Sequence, residues 1–334
     1  MRALASPRSM TRLLAARSRW RWEEIAFWLL AAASYFVFPE HLLLISQILI
    51  AGLFAFSLDL LQGYAGVPSL GHAAFFGTGA YTAGLLAKIG WGDPVTGLAA
   101  AALVAGTFGY LCSFLVTRVT GIALLTVTLG IGLLLYEVAH RWTSLTGGDD
   151  GLQGMQVWPV LNLFPFDLFG RTAFVYAFAV VFAAYLLTRH VLHSPFGLSL
   201  ESIRENKRRA QAIGIPVRQR LAAVFTLSAA LAGIAGGLLA QTSQFVALEA
   251  LSVERSIAAL IIVVLGGAAT LIGSMYGAGV YMAARDVLSS INPVYWNFWL
   301  GLILFGVVML RAGGIVGGMR WVSARLARLP QGAG

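Results

Sequence analysis

The amino-acid sequence predicts an all-α polytopic membrane protein with about ten transmembrane helices. Of its 334 residues, 58% are hydrophobic and 11% are charged, and the mean hydropathy is +0.79. Soluble domains carry about 25% charged residues, so these values exclude an ordinary soluble protein, and the high apolar content also excludes a disordered chain. The single cysteine, Cys112, excludes an internal disulfide and a zinc–cysteine cluster.

Ten apolar stretches make up most of the chain, each close to the length of about 20 residues that a membrane-crossing helix needs. The first follows six arginines and ends at Phe38-Pro39-Glu40 without a small-residue cleavage site, so it is interpreted as a retained span and not as a signal peptide. Segments 63–89 and 254–291 are also compatible with re-entrant structure. The predicted spans cover residues 23–38, 41–62, 69–89, 94–118, 121–141, 170–191, 218–242, 254–271, 273–291 and 295–312.

The basic residues predict the side of the membrane that each loop faces. With ten crossings and a cytoplasmic N-terminus, 18 of the 23 basic residues fall in cytoplasmic segments and four fall outside. This asymmetry follows the positive-inside rule and places both termini in the cytoplasm, so the net charge of +9 requires no nucleic-acid partner. The predicted organisation is a basic segment 1–22, one transmembrane domain 23–312 and a tail 313–334. Five spans lie on each side of residue 150, which would invert the two halves.

The cytoplasmic loop 193–217 carries a dense group of charges. Pro195 and Gly197 end the preceding span, and residues 199–213 favour one short amphipathic helix, with Gly214 suited to its C′ position. The helix is either a solvated loop element or a docking surface for a cytoplasmic partner. Its apolar side is formed by Leu200, Ile203, Ala210 and Ile213.

The segment 63–84 is rich in small residues, which let membrane helices approach closely. Pro68 lies between glycines and indicates a broken or kinked helix start, followed by Ser69 and His72. Tight packing around a buried helix cap explains this pattern, and so does a discontinuous helix that lines a polar pathway. A serine–histidine hydrolase is disfavoured, because the elbow Gly-x-Ser-x-Gly is absent. Candidate pathway residues are Ser69, His72, Thr78, Tyr81 and Thr126, although burial as packing contacts explains them equally well.

The outside loop 142–169 begins with glycines and two aspartates. Their spacing does not match an EF-hand, so turn chemistry is the simpler explanation and no metal is expected. An exposed acidic turn would also suit a basic protein partner. The candidate docking residues are Thr146, Gly147, Asp149 and Asp150.

Ionisable residues within predicted spans are functional candidates. Asp59 and Glu137 lie near span ends, where they would reach water, and the neighbours Arg285 and Asp286 point in different directions on a helix. Neither lysine of the chain follows a glycine, so the chain has no P-loop and no nucleotide cofactor of its own is expected. Energy from ATP would have to come through another polypeptide.

Several segments together resemble the membrane permeases of branched-chain amino acid ABC importers of the LivM type. The resemblance extends from about residue 41 to residue 317, and the motifs occur in the same order. The segments that carry it are 69–82, 142–152, 194–197 with 203–206 and 213–215, 263–267 with Gly273, and 313–317. The run Lys207-Arg208-Arg209 makes the cytoplasmic helix more basic than in many relatives.

The resemblance implies a multi-pass inner-membrane subunit with the fold of type II ABC importer permeases. A LivH-type permease would complete the translocation pathway, two LivG/LivF-type ATPases would bind ATP and magnesium, and a periplasmic binding protein would deliver the solute. The cytoplasmic helix would couple the permease to an ATPase. The resemblance assigns that coupling to Glu201, Ile203, Arg204, Glu205, Asn206, Ala210 and Gly214.

Three alternatives remain open at the level of the sequence. The same importer class also carries urea, short amides and aromatic carboxylates. An ion-coupled secondary transporter would use Asp59, Glu137 and Asp286 as ion or proton sites. A membrane enzyme would use Ser69 and His72.

Overall fold

The computed structural model describes residues 20–167, 169–293, 295–310 and 313–326. Within these ranges the chain is helical, with short 3-10 turns and two isolated β-bridges. A π-helical turn, Leu60–Tyr64, extends the second helix. The α-helices are α1 (Trp22–Val37), α2 (Leu42–Asp59), α3 (Ala73–Lys88), α4 (Pro94–Val116), α5 (Ile122–Arg141), α6 (Thr143–Thr146), α7 (Arg171–Leu192), α8 (Pro195–Glu205), α9 (Lys207–Ala212), α10 (Val217–Ser243), α11 (Val253–Gly266), α12 (Gly273–Ile291), α13 (Trp296–Leu310) and α14 (Gly314–Leu326).

A helix lies in each of the ten predicted apolar stretches, but the helices differ in length. In the described part of the chain, five helical segments are long and apolar enough to cross a membrane. α3 and α11 are shorter than the stretches that contain them, with 16 and 14 residues. The total of ten crossings and the inverted halves therefore stay predictions. Most of the basic segment 1–22 and the end of the tail 313–334 lie outside the described residues. The five long segments are Pro39–Tyr64, Pro94–Val116, Ile122–Arg141, Arg171–Leu192 and Val217–Ser243.

The central helix of the described fold is α10, which packs along α4, α3 and α2. Small residues make this packing close. A Cβ added to Gly79 of α3 would overlap the backbone of Gly233, and one added to Gly236 would overlap the carbonyl oxygen of Phe76. The α3–α10 pair therefore relies on backbone-to-backbone contact, as small residues permit between membrane helices.

Two ion pairs with buried glutamates join the start of α1 to other helices. Glu24 at the start of α1 lies 3.1 Å from Arg189 near the end of α7, and Glu23 lies 3.0 Å from Arg320 of α14. Gln241 near the end of α10 donates to the carbonyl of Pro94, the first residue of α4. The two ion pairs place the end of α7 and the middle of α14 beside the start of α1.

The start of α4 is fixed by a capping side chain. Asp93 accepts a hydrogen bond of 2.9 Å from the backbone N–H of Thr96, and Pro94 occupies the first helical position. Both choices are typical of helix N-termini. Hydrogen bonds from the hydroxyl and backbone of Thr96 lower the pKa of Asp93, so the cap stays ionised at neutral pH.

Candidate functional site

The charged loop 193–217, predicted to face the cytoplasm, forms two short helices, α8 and α9, so the prediction of one helix over residues 199–213 is wrong. Ser194 caps α8, and Asn206 interrupts the helical path with φ −159° and ψ 105°. Its side chain accepts a hydrogen bond of 3.0 Å from the N–H of Arg209 and thereby caps α9. Asparagine favours this N-cap role over a helix interior. Helix propensity alone had not indicated the break.

The inner side of these two helices is apolar, largely as predicted. Leu200, Ile203 and Ala210 are buried against the bundle, whereas Ile213 is 70% exposed and does not belong to this side. Gly214 adopts φ +88° after α9, the left-handed conformation expected at a C′ position. The buried side chains fix the loop onto the bundle and leave its polar side free.

Arg204 connects this loop to the end of the long helical segment Pro39–Tyr64. Its guanidinium donates a hydrogen bond to the carbonyl oxygen of Gly63. Gly66, at φ +68°, lies directly against the side chain, since an added Cβ would be 3.2 Å from Arg204 Cγ. Glu205 and Asn206 are exposed beside this contact. A displacement of α8 would therefore act directly on the π-helical turn.

The same turn is held from the other side by Asp59. This carboxylate is fully buried, and its Oδ1 accepts a hydrogen bond of 2.8 Å from the backbone N–H of Ala269. A Cβ on Gly63 would overlap Asp59 Oδ1 and lie 2.6 Å from Ala269 N, so only glycine fits there. The expectation that Asp59 reaches water is wrong, because the loop between α11 and α12 covers it.

We define Arg204, Gly63, Asp59 and Ala269 as the cytoplasmic junction, named after the side of the membrane predicted for the loop 193–217. It brings together three parts of the chain, since Arg204 and Gly63 are 141 positions apart and Asp59 and Ala269 are 210 apart. Each link ends on a backbone group, so the contacts depend on where the segments lie rather than on which residues carry the carbonyl or N–H. The junction is therefore suited to transmitting a movement of the loop to α2, α11 and α12.

The predicted pathway residues Ser69 and His72 lie in the protein interior. Residues 65–72 are not α-helical, and α3 begins at Ala73, so the broken helix start is confirmed. His72 Nε2 lies 2.8 Å from the Oγ of Ser57, and the ring stacks on Phe54. Ser69 Oγ and His72 Nδ1 have no hydrogen-bond partner among the described residues. The serine that contacts this histidine is thus Ser57, and a Ser69–His72 catalytic pair is not formed.

A second interrupted helix meets the first. Ser252 caps α11, and the N–H of Ala73 donates a hydrogen bond of 2.9 Å to the Oγ of Ser256 in its first turn. Both partners are buried. The starts of α3 and α11 therefore meet inside the bundle. Irregular backbone of this kind is tolerated at membrane depth only where protein covers it. Sequence reasoning missed Ser57 and Ser256, whose only signal is a hydroxyl in an apolar run.

The remaining predicted pathway residues lie in different environments. Thr78 is half-buried and bonds to the carbonyl of Ala74, while Tyr81 is buried. Thr126 of α5 is exposed on the outside of the chain, so the expectation that it faces inward is wrong. Its hydroxyl donates to Ile122 O at 3.2 Å within its own helix.

In the loop 142–169, predicted to lie outside, the four candidate docking residues are of two kinds. Thr146 is buried, and its hydroxyl donates to the carbonyls of Ala139 and Trp142 at 2.5 and 2.9 Å. Gly147 adopts φ +82° and turns the chain. Asp149 and Asp150 are exposed, and Asp149 lies 3.0 Å from His140. The threonine and glycine therefore shape the loop, and the two aspartates are its accessible acidic groups.

Two of the remaining intramembrane candidates have surface positions. Glu137 pairs with Arg141 one helical turn later, at 2.5 Å, and both side chains are well exposed. The Arg285 guanidinium lies over the ring of Trp296, 5.4 Å from its centroid. Neither arrangement resembles an enclosed ion site.

The chain matches a family described as the permease component of the branched-chain amino acid transport system, over residues 41–312. It is 30% identical over 281 residues to the high-affinity branched-chain amino acid transport permease LivM of Escherichia coli K12, which is 78% of this chain and 66% of that relative. The chain thus spans slightly less than two thirds of that relative's length.

Two further relatives have other names. The probable branched-chain amino acid transport permease LivH of Methanocaldococcus jannaschii is 27% identical, over 81% of this chain and 85% of the relative. The autoinducer 2 import system permease LsrC of Enterobacter sp. strain 638 is 29% identical, over 69% and 67%. No solved structure matches the chain. The family match covers well over half of the chain, and the chain belongs to the family of branched-chain amino acid transport permease components.

Proposed function

We propose that this chain is one permease subunit of an ATP-driven ABC importer in a bacterial inner membrane. With a LivH-type subunit it would form the pathway for branched-chain or other small amino acids, delivered by a periplasmic binding protein. ATP and magnesium would be bound by two separate cytoplasmic ATPases. The observation that carries the proposal is the cytoplasmic junction. It connects a charged loop with an exposed polar side to the backbone of the π-helical turn that extends α2.

The loop has the features of a docking element for an ATPase. α8 and α9 bury their apolar side against the bundle, so docking need not cover an apolar face. The other side of the two helices presents both negative and positive charges to a partner. Its exposed residues are Glu205, Asn206, Arg208 and Arg209. Charged contacts of this kind favour specificity and a fixed orientation.

The interrupted helices support a transport role. α3 and α11 each begin inside the bundle, where their first turns meet at the contact between Ala73 and Ser256. Discontinuous helices of this kind mark solute sites in many transporters. We propose that Ser69, His72, Thr78 and Tyr81 lie near the pathway in another conformation of the importer. The solute is the least constrained part of the proposal, because relatives named for autoinducer 2 import match as well.

The proposal is tested by purifying the chain in mild detergent from its native membrane and identifying bound proteins by mass spectrometry. We expect a second permease and P-loop ATPases to co-purify. An Asp93→Asn variant, altered only at an outside helix cap, serves as the control and should retain the same partners. If the chain is recovered alone and still supports uptake, the importer assignment is wrong.

Asp59 separates the importer from a secondary transporter. An Asp59→Asn variant keeps an oxygen that can accept from Ala269 N–H, so we expect ATP-dependent uptake to persist within about threefold of wild type. Asp59→Leu removes the acceptor and should lower the free energy of unfolding by about 1–3 kcal/mol, because a buried N–H is left unpaired. Uptake into vesicles, with and without a proton ionophore, is the measurement. Complete loss of uptake in Asp59→Asn, with normal thermal stability, would favour ion coupling.

A further inference from the structure

A groove opens between the end of α4 and the start of α10, and none of its described lining residues belongs to the junction or to the segment 65–72. Its volume is about 420 Å³. Its wall includes Tyr110 and Phe114 from α4, Arg118 just beyond α4, and Arg218 and Gln219 from the start of α10. None of the described residues that line it is acidic. The groove therefore combines an aromatic part with a basic part.

The two parts lie at different depths relative to the apolar spans. Arg118 follows the last residue of the span Pro94–Val116 by two positions, and Arg218 is the second residue of the span Val217–Ser243. Both guanidinium groups thus lie where apolar segments end, at the depth of lipid headgroups. Phe114 and Tyr110 precede Arg118 by about one and two helical turns, which places them at the depth of acyl chains. Their exposed fractions are 51% and 47%.

A third cation lies close to the groove. A smaller neighbouring cavity shares Thr117 with it and is lined by Lys207 at the start of α9. Arg118, Arg218 and Lys207 therefore line two adjoining cavities. Guanidinium groups bind phosphate oxygens through paired hydrogen bonds, and basic pockets between helix ends on the cytoplasmic side bind anionic headgroups.

We propose that this groove binds one anionic phospholipid of the cytoplasmic leaflet. Arg118 and Arg218 would bind its phosphate, and Tyr110 and Phe114 would contact the upper part of an acyl chain. The exposed aromatic surface below the cations distinguishes this site from one for free inorganic phosphate. It also distinguishes the groove from the surface of α8 and α9, which offers charges of both signs.

The test uses the complete importer, purified in mild detergent and incubated with mixed micelles that contain equal amounts of phosphatidylglycerol and phosphatidylcholine. Native mass spectrometry counts the lipids that remain after a wash. We expect about one phosphatidylglycerol per copy of the wild-type chain, little phosphatidylcholine, and no displacement by millimolar inorganic phosphate. In the double variant Arg118→Gln/Arg218→Gln, the retained phosphatidylglycerol should fall at least tenfold.

The variant Arg21→Gln is the control. It removes a charge at an exposed position that is predicted to face the cytoplasm and lies outside the groove and outside α8 and α9, and it should retain the lipid. Equal retention of both lipids by wild type, or unchanged retention in Arg118→Gln/Arg218→Gln, would overturn the proposal. So would an equal loss in Arg21→Gln, which would mean that only the overall positive charge matters. The preference of the wild-type importer for phosphatidylglycerol over phosphatidylcholine tests the proposal even where the groove variant assembles poorly.

Discussion

A Gly236→Val variant is expected to yield almost no folded protein. A Cβ at this position would overlap the carbonyl oxygen of Phe76 and lie 2.8 Å from its carbonyl carbon and 2.9 Å from Ala80 N. All three atoms belong to the backbone of α3, so no side chain can move away. Overpacking costs about 1–3 kcal/mol where neighbours can shift. Moving α3 away from the central α10 would cost more free energy, because these two helices share one of the most extensive contacts in the described fold.

Gly130→Val in α5 is the matched control. Nothing lies within 4 Å of the Cβ that would be added there, and both glycines lie within long helices. Valine also favours a helix interior over glycine by a few tenths of a kcal/mol. The yield of monodisperse protein and its thermal unfolding in detergent are the measurements. Equal behaviour of the two variants would mean that the α3–α10 contact does not limit folding.

Arg204→Gln is expected to lower uptake by at least tenfold while ATP hydrolysis by the assembled importer continues. The side chain donates to Gly63 O and is a direct side-chain link between α8 and the π-helical turn. Glutamine is shorter and lacks the guanidinium, so the loop would still pack through Leu200 and Ile203 but would no longer move α2 with it. This result follows from the proposed importer function and from the cytoplasmic junction.

Arg21→Gln is the control for this variant, because it removes an arginine from an exposed position outside the junction and outside α8 and α9. Uptake and hydrolysis are measured on the same reconstituted vesicles. Loss of both activities in Arg204→Gln would assign the residue to ATPase docking instead. Unchanged uptake would exclude the junction from transmission.

The sequence predicted the helical framework well and its interruptions less well. Each of the ten apolar stretches contains a helix. Such stretches can be recognised without the structure, because hydropathy is read from residues that are adjacent in the sequence. The division of the cytoplasmic loop at Asn206 was missed, although asparagine is a strong N-cap, because the surrounding residues all favour helix. Pro68 indicated the interrupted start of α3, whereas the early end of α11 was hidden, since residues 267–271 are largely apolar without being helical.

The candidate site was only partly predictable. Arg204, His72 and Asp59 were singled out as chemically unusual in their contexts, and the structure gives each a specific contact. Their partners were not foreseen, because Ser57, Gly63 and Ala269 carry no signal of their own. Thr126 and Ile213 were placed on the wrong side, since the period of a helix shows which residues share a face but not which face is covered.

The sequence by itself determined that the chain is a helical membrane protein, where its apolar helices lie and which family it resembles. These conclusions rest on local composition and on the order of the motifs. Both can be read from the sequence without knowing which residues are in contact. Only the tertiary structure decided that Asp59 is buried against Ala269, that Arg204 binds the backbone of Gly63, and that α3 and α11 meet at Ser256. Each contact joins segments more than 100 positions apart and ends on at least one backbone group. Backbone groups are the same at every residue, so only the packing of the helices specifies which of them meet.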